Sequence, residues 1–589
     1  MRTNSSRCYL KNDVLYYEDG KLNKKPSDNL DLNRGLFNGV GYPLSKHDVK
    51  LQRVYIKWSN LNSHKLTCGT TRQGKSRKMV SDNEQQIASG ANVFIGDPKG
   101  SEGQEIIGYT IQNAIKYKRQ KEIIYISAYF HKYSAKFNPI YRKKNLEISS
   151  LCTELIIAKE PVYANVAKTR LLSILLSLDF IEQFDKRTNP FDLILMERYE
   201  LAKLETESVN WLNRYIWESQ YSETDHGYRW DITKDLLENA EDELEKKLIH
   251  EAYERTLIRY KDNPDISKGG IFPLRTFLTL RDIAKFKSRQ VLEVLIYEVK
   301  ERFEKLDESN SELKRLGNDA IRELQSELDD DPTFISKLLK SLSTVLSELT
   351  TEDVGIILND CKVNPVMDAL TSDDRGAIII YQPFPLVYSS TALALGRIMF
   401  SMFSSMAGYI GASGVMLKRR LFINIDEAGA ILIPIVEELS NKGGGLGFSL
   451  CLYTQSIADI IKTLDEVGAR IIMDNMNTKE FFKVNDNTTA KEVATIIGTI
   501  KKAETTTTAS DQRNTRDATQ IKETNIANEG IIQRLNERTF LLKEGDEVYI
   551  VAAPDVADTL IKIKMPIPSL QELAADTYIK REQIKRSML

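Results

Sequence analysis

One octet of the chain has the residue types and spacing of a polyphosphate-binding loop. Its members are Gly69, Thr70, Thr71, Arg72, Gln73, Gly74, Lys75 and Ser76. In a loop of the form GxxxxGKS, backbone N–H groups surround the phosphates, the lysine reaches the β- and γ-phosphates, and the final hydroxyl binds Mg²⁺. Residues 64–68 before the octet are typical of a strand, and residues 78–89 after it are typical of a helix whose N-terminus faces the phosphates. The octet therefore predicts binding of ATP or GTP together with Mg²⁺.

A second segment ends in two carboxylates. Residues 421–425 are mostly apolar and are followed directly by Asp426 and Glu427. Acids at the carboxyl end of a buried parallel strand lie where open α/β sheets bind ligands. We predict that Asp426 belongs to the Mg²⁺ shell and that Glu427 orients and deprotonates the attacking water. The alternative, an ordinary strand leading into a helix cap, loses weight beside a phosphate loop.

Polar residues follow two further predicted strands. Gln455 comes after the apolar residues 449–453, next to the acidic strand, so it is a candidate sensor of the γ-phosphate or its water. The alternative for Gln455 is a glutamine that caps a loop. Asp97 follows a predicted strand at 91–95, and we expect it beside the nucleotide. Lys99 either lies near the nucleotide or structures the adjacent loop.

Composition favours a reduced, intracellular protein. The chain has 589 residues, of which 42% are apolar and 28% charged, with a net charge of −2. This balance gives no global basic signature for nucleic acid, although a local basic channel is compatible with it. The five cysteines form no CxxC pair, which predicts free thiols. No apolar run is long enough to span a bilayer and the N-terminus has no signal-peptide pattern, so we expect a cytoplasmic location, with peripheral attachment at the inner membrane face as an option.

Strand and helix patterns predict an α/β fold with a mostly parallel central sheet, interrupted by a long all-α insertion. Strand–loop–helix alternation indicates parallel crossovers, while the middle of the chain has apolar residues every three or four positions. The predicted divisions are a strand-containing lead-in at 1–60, the first part of the nucleotide core at 61–150, the all-α domain at 151–360, the second part of the core at 361–568 with a flexible loop at 503–529, and a helical tail at 569–589.

Taken together, these motifs resemble those of the coupling ATPases of conjugative type IV secretion, the TraD/TraG-like family, in the branch found on integrative elements. The matching segments are 69–76, 96–100, 137–140, 395–397, 425–427, 441–498, 541–547 and 563–568. The resemblance implies a RecA-like P-loop NTPase core with an inserted all-α domain. It also implies a ring, usually of six subunits, that draws single-stranded DNA through a central pore and delivers a DNA-bound relaxase to a secretion channel.

Two departures from the family pattern stand out. Members usually carry N-terminal membrane-spanning helices that this chain lacks, so membrane attachment would need the secretion apparatus or a small membrane adaptor. Relatives also often have an arginine where this chain has Gly444. That arginine is a candidate finger for a neighbour's γ-phosphate, and its loss can cost orders of magnitude in hydrolysis rate. Lys442, Arg419 and Arg420 are the candidate replacements.

The expected function is that of a Mg-ATP-dependent DNA translocase and P-loop ATPase. Glu427, Lys75 and Gln455 would be its catalytic residues. One alternative is a double-stranded DNA motor of the FtsK/HerA type, against which the helical insertion and the motif order argue. Another is a weakly hydrolysing platform that binds ATP and recruits secretion substrates. The glycine at position 444, where relatives often have an arginine, favours this second alternative.

Overall fold

The computed structural model describes residues 8–11, 14–17, 31–44, 51–98, 103–131, 134–154, 161–188, 191–192, 194–195, 239–261, 272–286, 288–307, 310–329, 340–384, 389–414, 417–430, 435–508 and 516–556. Two predictions, the helical tail at 569–589 and the role of Lys99, lie outside these residues. None of the helices in the described part of the chain has the length and apolar character needed to cross a bilayer.

The strands form one large sheet and two separate pairs. In chain order they are β1 (Cys8–Lys11), β2 (Val14–Tyr17), β3 (Leu36–Pro43), β4 (Gln52–Ile56), β5 (Lys65–Cys68), β6 (Asn92–Gly96), β7 (Ile123–Ile126), β8 (Ile378–Tyr381), β9 (Leu421–Ile425), β10 (Phe448–Thr454), β11 (Thr478–Phe481), β12 (Thr499–Thr508), β13 (Arg516–Asn525), β14 (Thr539–Glu544) and β15 (Glu547–Ala552). Within the described residues, the large sheet has eleven strands in the order β4-β3-β15-β14-β11-β5-β10-β9-β6-β8-β7. The strands from β11 to β7 in this order are parallel, and the others are antiparallel.

The parallel register brings the predicted motifs to one edge of the sheet. Cys68 at the end of β5 lies opposite Thr454 of β10, and Leu452 of β10 lies opposite Ile425 of β9. Because parallel strands end at the same edge, the residues that follow β5, β9 and β10 meet there. This edge carries the phosphate loop, the two acids and Gln455.

Helices cover both faces of the sheet. They are α1 (Lys75–Ala88), α2 (Gly103–Lys116), α3 (Asn145–Glu154), α4 (Pro161–Thr188), α5 (Glu243–Lys261), α6 (Leu280–Lys285), α7 (Arg289–Glu304), α8 (Ser311–Asp329), α9 (Lys340–Thr350), α10 (Glu352–Asn359), α11 (Pro365–Thr371), α12 (Ser389–Ser413), α13 (Ile435–Lys442), α14 (Ile457–Asn475), α15 (Asn487–Ile497) and α16 (Glu529–Gln533). Alternate residues of a strand point to opposite faces. Val93 and Ile95 of β6 accordingly pack with α1 and α2, while Phe94 packs with α12 and helices of the insertion.

The helical insertion is a single long crossover. Every described helix from α3 to α11 lies between β7 and β8, which are adjacent and parallel in the sheet. Asn138 ties the two ends of this crossover together. Its side-chain amide donates to the carbonyls of Leu278 (2.8 Å) and Lys362 (2.9 Å), and its backbone N–H donates to Val363 (2.8 Å). The motif residues 137–140 therefore fasten the insertion to the core.

The α/β architecture with a mostly parallel sheet and a helical insertion is confirmed, but one segment differs from its prediction. The polar residues 503–529, predicted as a flexible loop, instead contribute most of strands β12 and β13 and the first residue of helix α16. Low apolar content indicated a loop. The segment is also rich in threonine, a residue type that favours strands. The two strands pair in a ten-residue antiparallel ladder, from Thr499 opposite Asn525 to Thr508 opposite Arg516.

Candidate nucleotide site

The phosphate loop connects β5 to α1 through a strained turn. Gly74 precedes the helix with φ of 101°, a conformation that favours glycine. Arg72 also has a positive φ, of 61°. A Cβ on Gly69 would lie 2.5 Å from the Cβ of Phe482, so only glycine fits where the loop leaves β5. The two glycines of the motif are thus required by backbone conformation and by close packing.

The lysine of the motif is held by its own loop. The Lys75 ammonium donates to the carbonyls of Gly69 (2.5 Å) and Thr70 (2.8 Å). The loop is also bonded to the segment that follows β11, because the Thr70 N–H donates to the Lys483 carbonyl at 2.9 Å. The charge of Lys75 is therefore placed within the loop, at the N-terminus of α1, where a phosphate would meet both a cation and the N–H groups of the first helical turn.

Ser76 and Asp426 meet although they are far apart in sequence. The Ser76 hydroxyl donates to the Asp426 carboxylate at 3.3 Å. Asp426 is buried, and its N–H donates to the Gly96 carbonyl at 2.9 Å, which fixes the end of β9. A hydroxyl beside a carboxylate offers the hard oxygen donors that Mg²⁺ prefers, and Mg²⁺ usually keeps several waters and takes only one or two protein carboxylates. These two residues fit the metal position that the sequence predicts.

Glu427 and Gln455 form a second pair at the same edge. The Gln455 side-chain amide donates to the Glu427 carboxylate at 2.6 Å. Glu427 adopts a positive φ of 52°, which costs free energy for a residue with a side chain. Backbone strain of this kind clusters at functional sites. The two residues proposed as catalytic base and phosphate sensor are therefore in direct contact.

Asp97 lies at the same edge of the sheet as the phosphate loop, directly after Gly96, whose carbonyl accepts from the Asp426 N–H at 2.9 Å. The Asp97 carboxylate accepts from the side-chain amide of Gln382 at 2.9 Å, and Gln382 in turn accepts from the Tyr125 hydroxyl at 2.9 Å. Asp97 is fully buried and follows β6, three strands from β5 in the sheet order. With strands about 4.8 Å apart, that separation is about 14 Å. The structure thus places Asp97 in a hydrogen-bonded chain at the ends of β6, β7 and β8.

Four buried charges beneath the loop were missed by the sequence analysis. Lys65 of β5 and Lys78 of α1 both contact Asp82 of α1, and both contact Glu480 of β11, at 3.0 and 3.3 Å respectively. All four side chains have no exposure to solvent. We call Lys65, Lys78, Asp82 and Glu480 the buried quartet. The only sequence signal for it was the presence of charged residues inside two short strands.

The buried quartet holds the loop strand, the loop helix and β11 together. The Tyr453 hydroxyl donates to Asp82 at 2.8 Å and the Thr67 hydroxyl donates to Glu480 at 2.8 Å, which adds β10 to the network. Burial alone would raise the pKa of Asp82, but the two lysines lower it below the ordinary value. Burial lowers the pKa of Lys78. Two positive and two negative groups thus compensate one another in a dry site.

The position of Gly444 leaves no room for a side chain. A Cβ there would lie 2.0 Å from the Asn62 carbonyl oxygen. Arg420 donates to the Trp58 carbonyl at 3.0 Å, Arg419 donates to the Gly90 carbonyl at 3.3 Å, and Lys442 is exposed at the end of α13. These three candidates precede β9 or β10, so they lie at the sheet edge opposite the phosphate loop of their own chain.

Sheet order, phosphate loop and helical insertion together define a P-loop NTPase with a RecA-like core. Among solved structures, the bacterial conjugative coupling protein TrwB lacking its N-terminal 70 residues, in an unbound monoclinic form, matches with a TM-score of 0.50 and 12% identity over 86% of this chain and 88% of that chain. TrwB with the non-hydrolysable ATP analogue ADPNP matches with a TM-score of 0.49 and 11% identity over 90% of this chain and 98% of that chain. Identities this low establish the fold alone.

A sequence family described as the TraM recognition site of TraD and TraG matches residues 420–536. This range contains both acids of the candidate site, Gln455 and the β12–β13 hairpin. Comparison with curated protein sequences finds no significant match. The predicted resemblance to the TraD/TraG-like coupling proteins is thereby confirmed.

Proposed function

We propose that this chain is a Mg-ATP-dependent coupling ATPase that recruits a relaxase–DNA complex and drives single-stranded DNA into a type IV secretion channel during conjugation. The observation that carries the proposal is the pairing of Ser76 with Asp426 and of Gln455 with Glu427 beside one phosphate loop. Each pair joins residues from different segments of the sheet edge, which supports a site for phosphoryl transfer to water. The family match over 420–536 supports the conjugative context.

The geometry supports a role for each of these residues. Lys75 and the N–H groups of the loop would bind the β- and γ-phosphates, and Ser76 with Asp426 would hold Mg²⁺, which neutralises charge on the phosphates. Glu427 would accept a proton from the attacking water, and Gln455 would hold the Glu427 carboxylate in place and sense the γ-phosphate. Hydrolysis would move segments that grip DNA phosphates. The chain would act as a homo-oligomer, because the finger candidates lie at the sheet edge opposite the phosphate loop of their own chain.

The helical insertion would receive the relaxase complex, and the secretion channel or a small membrane adaptor would anchor the oligomer. DNA grip depends on local lysines and arginines, so DNA binding should weaken as salt rises.

A specific observation favours a second candidate, the ATP-binding recruitment platform with weak hydrolysis. Gly444 is packed against Asn62 and cannot carry the arginine that relatives often have there. If neither Lys442 nor Arg419 nor Arg420 replaces that group, hydrolysis is slow. ATP would then act as a structural ligand while protein cargo is recruited.

Steady-state ATP hydrolysis by the full chain, with and without single-stranded DNA, separates the two candidates. The translocase predicts turnover that DNA stimulates, that Lys75→Ala abolishes through loss of nucleotide binding, and that Glu427→Gln abolishes with binding retained. A wild-type rate no higher than that of the two variants would reject the motor and leave the platform. A strand-specific translocation assay distinguishes single-stranded from double-stranded DNA as the track.

A further inference from the structure

We propose that Arg538 is a positioning residue of the nucleotide site, which holds the Gln73–Gly74 turn in its phosphate-binding conformation and is itself fixed by Asp555. We call Arg538 and Asp555 the loop latch. The inference rests on the proposed function in that the loop is taken to bind a nucleotide. It adds a residue that neither the motif nor the resemblance indicates.

Arg538 contacts the phosphate loop through both its backbone and its side chain. Its N–H donates to the Gln73 carbonyl at 3.0 Å. Its Cγ lies 3.1 Å from the position that a Cβ on Gly74 would occupy. Arg538 therefore covers the turn at the point where the loop takes its left-handed conformation, with Gly74 at φ of 101°. A strained turn of this kind persists only when its surroundings hold it.

Arg538 is in turn held by the residues that follow β15. Its guanidinium donates to the Asp555 carboxylate at 2.8 Å and to the Pro554 carbonyl at 3.0 Å. Its own carbonyl accepts from the Ala553 N–H at 2.7 Å. Arg538 has a positive φ of 63°, so it is also a strained residue kept in place by several bonds. The latch thus joins the start of β14 and the end of β15 to the loop.

The sheet order places the loop latch on the nucleoside side of the site. The two acids follow β9, which is two strands from β5 in one direction, and Arg538 precedes β14, which is two strands from β5 in the other. β14 runs antiparallel to β11, with Leu541 opposite Phe481, so its beginning lies at the same edge as the loop. If the terminal phosphate lies by the acids, the rest of the nucleotide extends towards the latch.

This position predicts an effect on binding rather than on chemistry. The loop grips phosphates in the ground state and in the transition state alike, so loosening it removes uniform binding, which raises Kd and KM and leaves kcat almost unchanged. A residue that stabilised only the transition state would instead lower kcat. The split between these parameters therefore distinguishes a positioning residue from a catalytic one.

The test uses the full chain and four variants: Arg538→Ala, Arg538→Gly, Asp555→Asn, and Arg302→Ala as the control. Arg302 forms a comparable half-buried pair with Asp185 at 3.0 Å, but in the helical insertion. Affinity for Mg-ADP is measured by calorimetry, kcat by steady-state hydrolysis, and stability by thermal unfolding. Arg538→Gly relieves the positive φ while it removes the side chain, so it separates lost packing from backbone strain.

We expect Arg538→Ala, Arg538→Gly and Asp555→Asn to weaken Mg-ADP binding about tenfold, with kcat changed less than twofold. A further variant that combines Arg538→Ala with Asp555→Asn should bind Mg-ADP no more weakly than Arg538→Ala alone, because both substitutions open the same latch. Arg302→Ala should lower the unfolding temperature without changing affinity. A tenfold fall in kcat at unchanged affinity, or equal loss of affinity in Arg302→Ala, would overturn the proposal.

Hydrogen exchange of the nucleotide-free chain makes the test independent of turnover and ligand. The proposal predicts faster exchange of the amides of residues 69–76 in Asp555→Asn and the Arg538 variants, with the helical insertion unchanged. Unchanged exchange in the loop would reject the latch whatever the nucleotide assays show. Failure of the wild type to bind Mg-ATP would instead reject the proposed function. Asp555→Asn decides the question if the Arg538 variants do not fold, since it preserves side-chain shape.

Discussion

The side-chain amide of Gln455 donates a 2.6 Å hydrogen bond to the carboxylate of Glu427. Gln455 and Glu427 follow the neighbouring strands β10 and β9, and the pairing of these strands brings the two side chains together. The bond restrains a carboxylate whose backbone has a positive φ of 52°.

Loss of the Gln455 amide should therefore slow turnover without weakening nucleotide binding. We expect Gln455→Ala to lower kcat by about ten- to a hundredfold, because the general base loses its orientation. Affinity for Mg-ADP should stay within twofold of wild type. The control is Gln183→Ala, which removes a glutamine that bonds Asp179 at 3.2 Å on α4. Equal kcat values for Gln455→Ala and wild type would contradict the role of the pair.

Ser76→Ala should raise the Mg²⁺ concentration needed for half-maximal activity. The hydroxyl that contacts Asp426 at 3.3 Å would be gone, and the metal would lose a ligand. We expect a shift of about tenfold or more in a Mg²⁺ titration at fixed ATP. Ser81→Ala serves as the control on the same helix, since the Ser81 hydroxyl makes no hydrogen bond within the described residues. Identical Mg²⁺ curves for both variants would count against the metal position.

Breaking the buried quartet should destabilise the protein strongly. Asp82→Asn leaves two buried lysines facing one carboxylate, and removal of one partner from a buried ion pair costs about 3–5 kcal/mol. The measurement is the free energy of unfolding in denaturant. The comparison is Glu466→Gln, which removes an exposed pair with Arg470 at 2.6 Å and should cost at most about 1 kcal/mol. Similar losses in the two variants would show that the quartet is not a special contributor to stability.

The same quartet predicts how stability depends on pH. The folded state keeps the pKa of Asp82 below its ordinary value of 3.8, so ionised Asp82 contributes stability above about pH 4 that is lost as pH falls through the folded pKa. In Asp82→Asn this contribution is absent at every pH. The free energy of unfolding should consequently fall less steeply between pH 5 and pH 3, about one pH unit either side of the ordinary value, in the variant than in wild type. Parallel curves for the two proteins would refute this assignment.

Two adjacent glycines provide a matched test of the packing around the missing arginine. A Cβ on Gly444 would lie 2.0 Å from the Asn62 oxygen, whereas a Cβ on Gly445 meets nothing within 4 Å. We expect Gly444→Ala to destabilise the chain by about 1–3 kcal/mol and Gly445→Ala to change its stability by less than about 0.5 kcal/mol. Thermal unfolding of both variants gives the answer. Equal midpoints would mean that the loop yields easily and that an arginine at 444 could be accommodated.

The sequence by itself determined the local chemistry of the site and the fold class. The GxxxxGKS octet has a fixed relation between residue order and phosphate geometry, so Lys75 and Ser76 could be placed without tertiary information. The strand at Leu421–Ile425 was predicted with its bounds because an apolar run ending in two acids has clear limits. The hairpin at 499–525 was missed because a polar ladder lacks the apolar alternation by which strands are recognised.

Only the tertiary structure decided which distant residues share a site. Ser76 meets Asp426, Lys65 meets Glu480, and Gln73 meets Arg538 because the sheet order brings their strands together. No local pattern carries this order, since it depends on which strands pair across hundreds of intervening residues. The hydrogen-bonded chain of Asp97 at the ends of β6, β7 and β8 and the close packing of Gly444 have the same cause. Residue types specify what chemistry is possible, and strand pairing specifies where it is assembled.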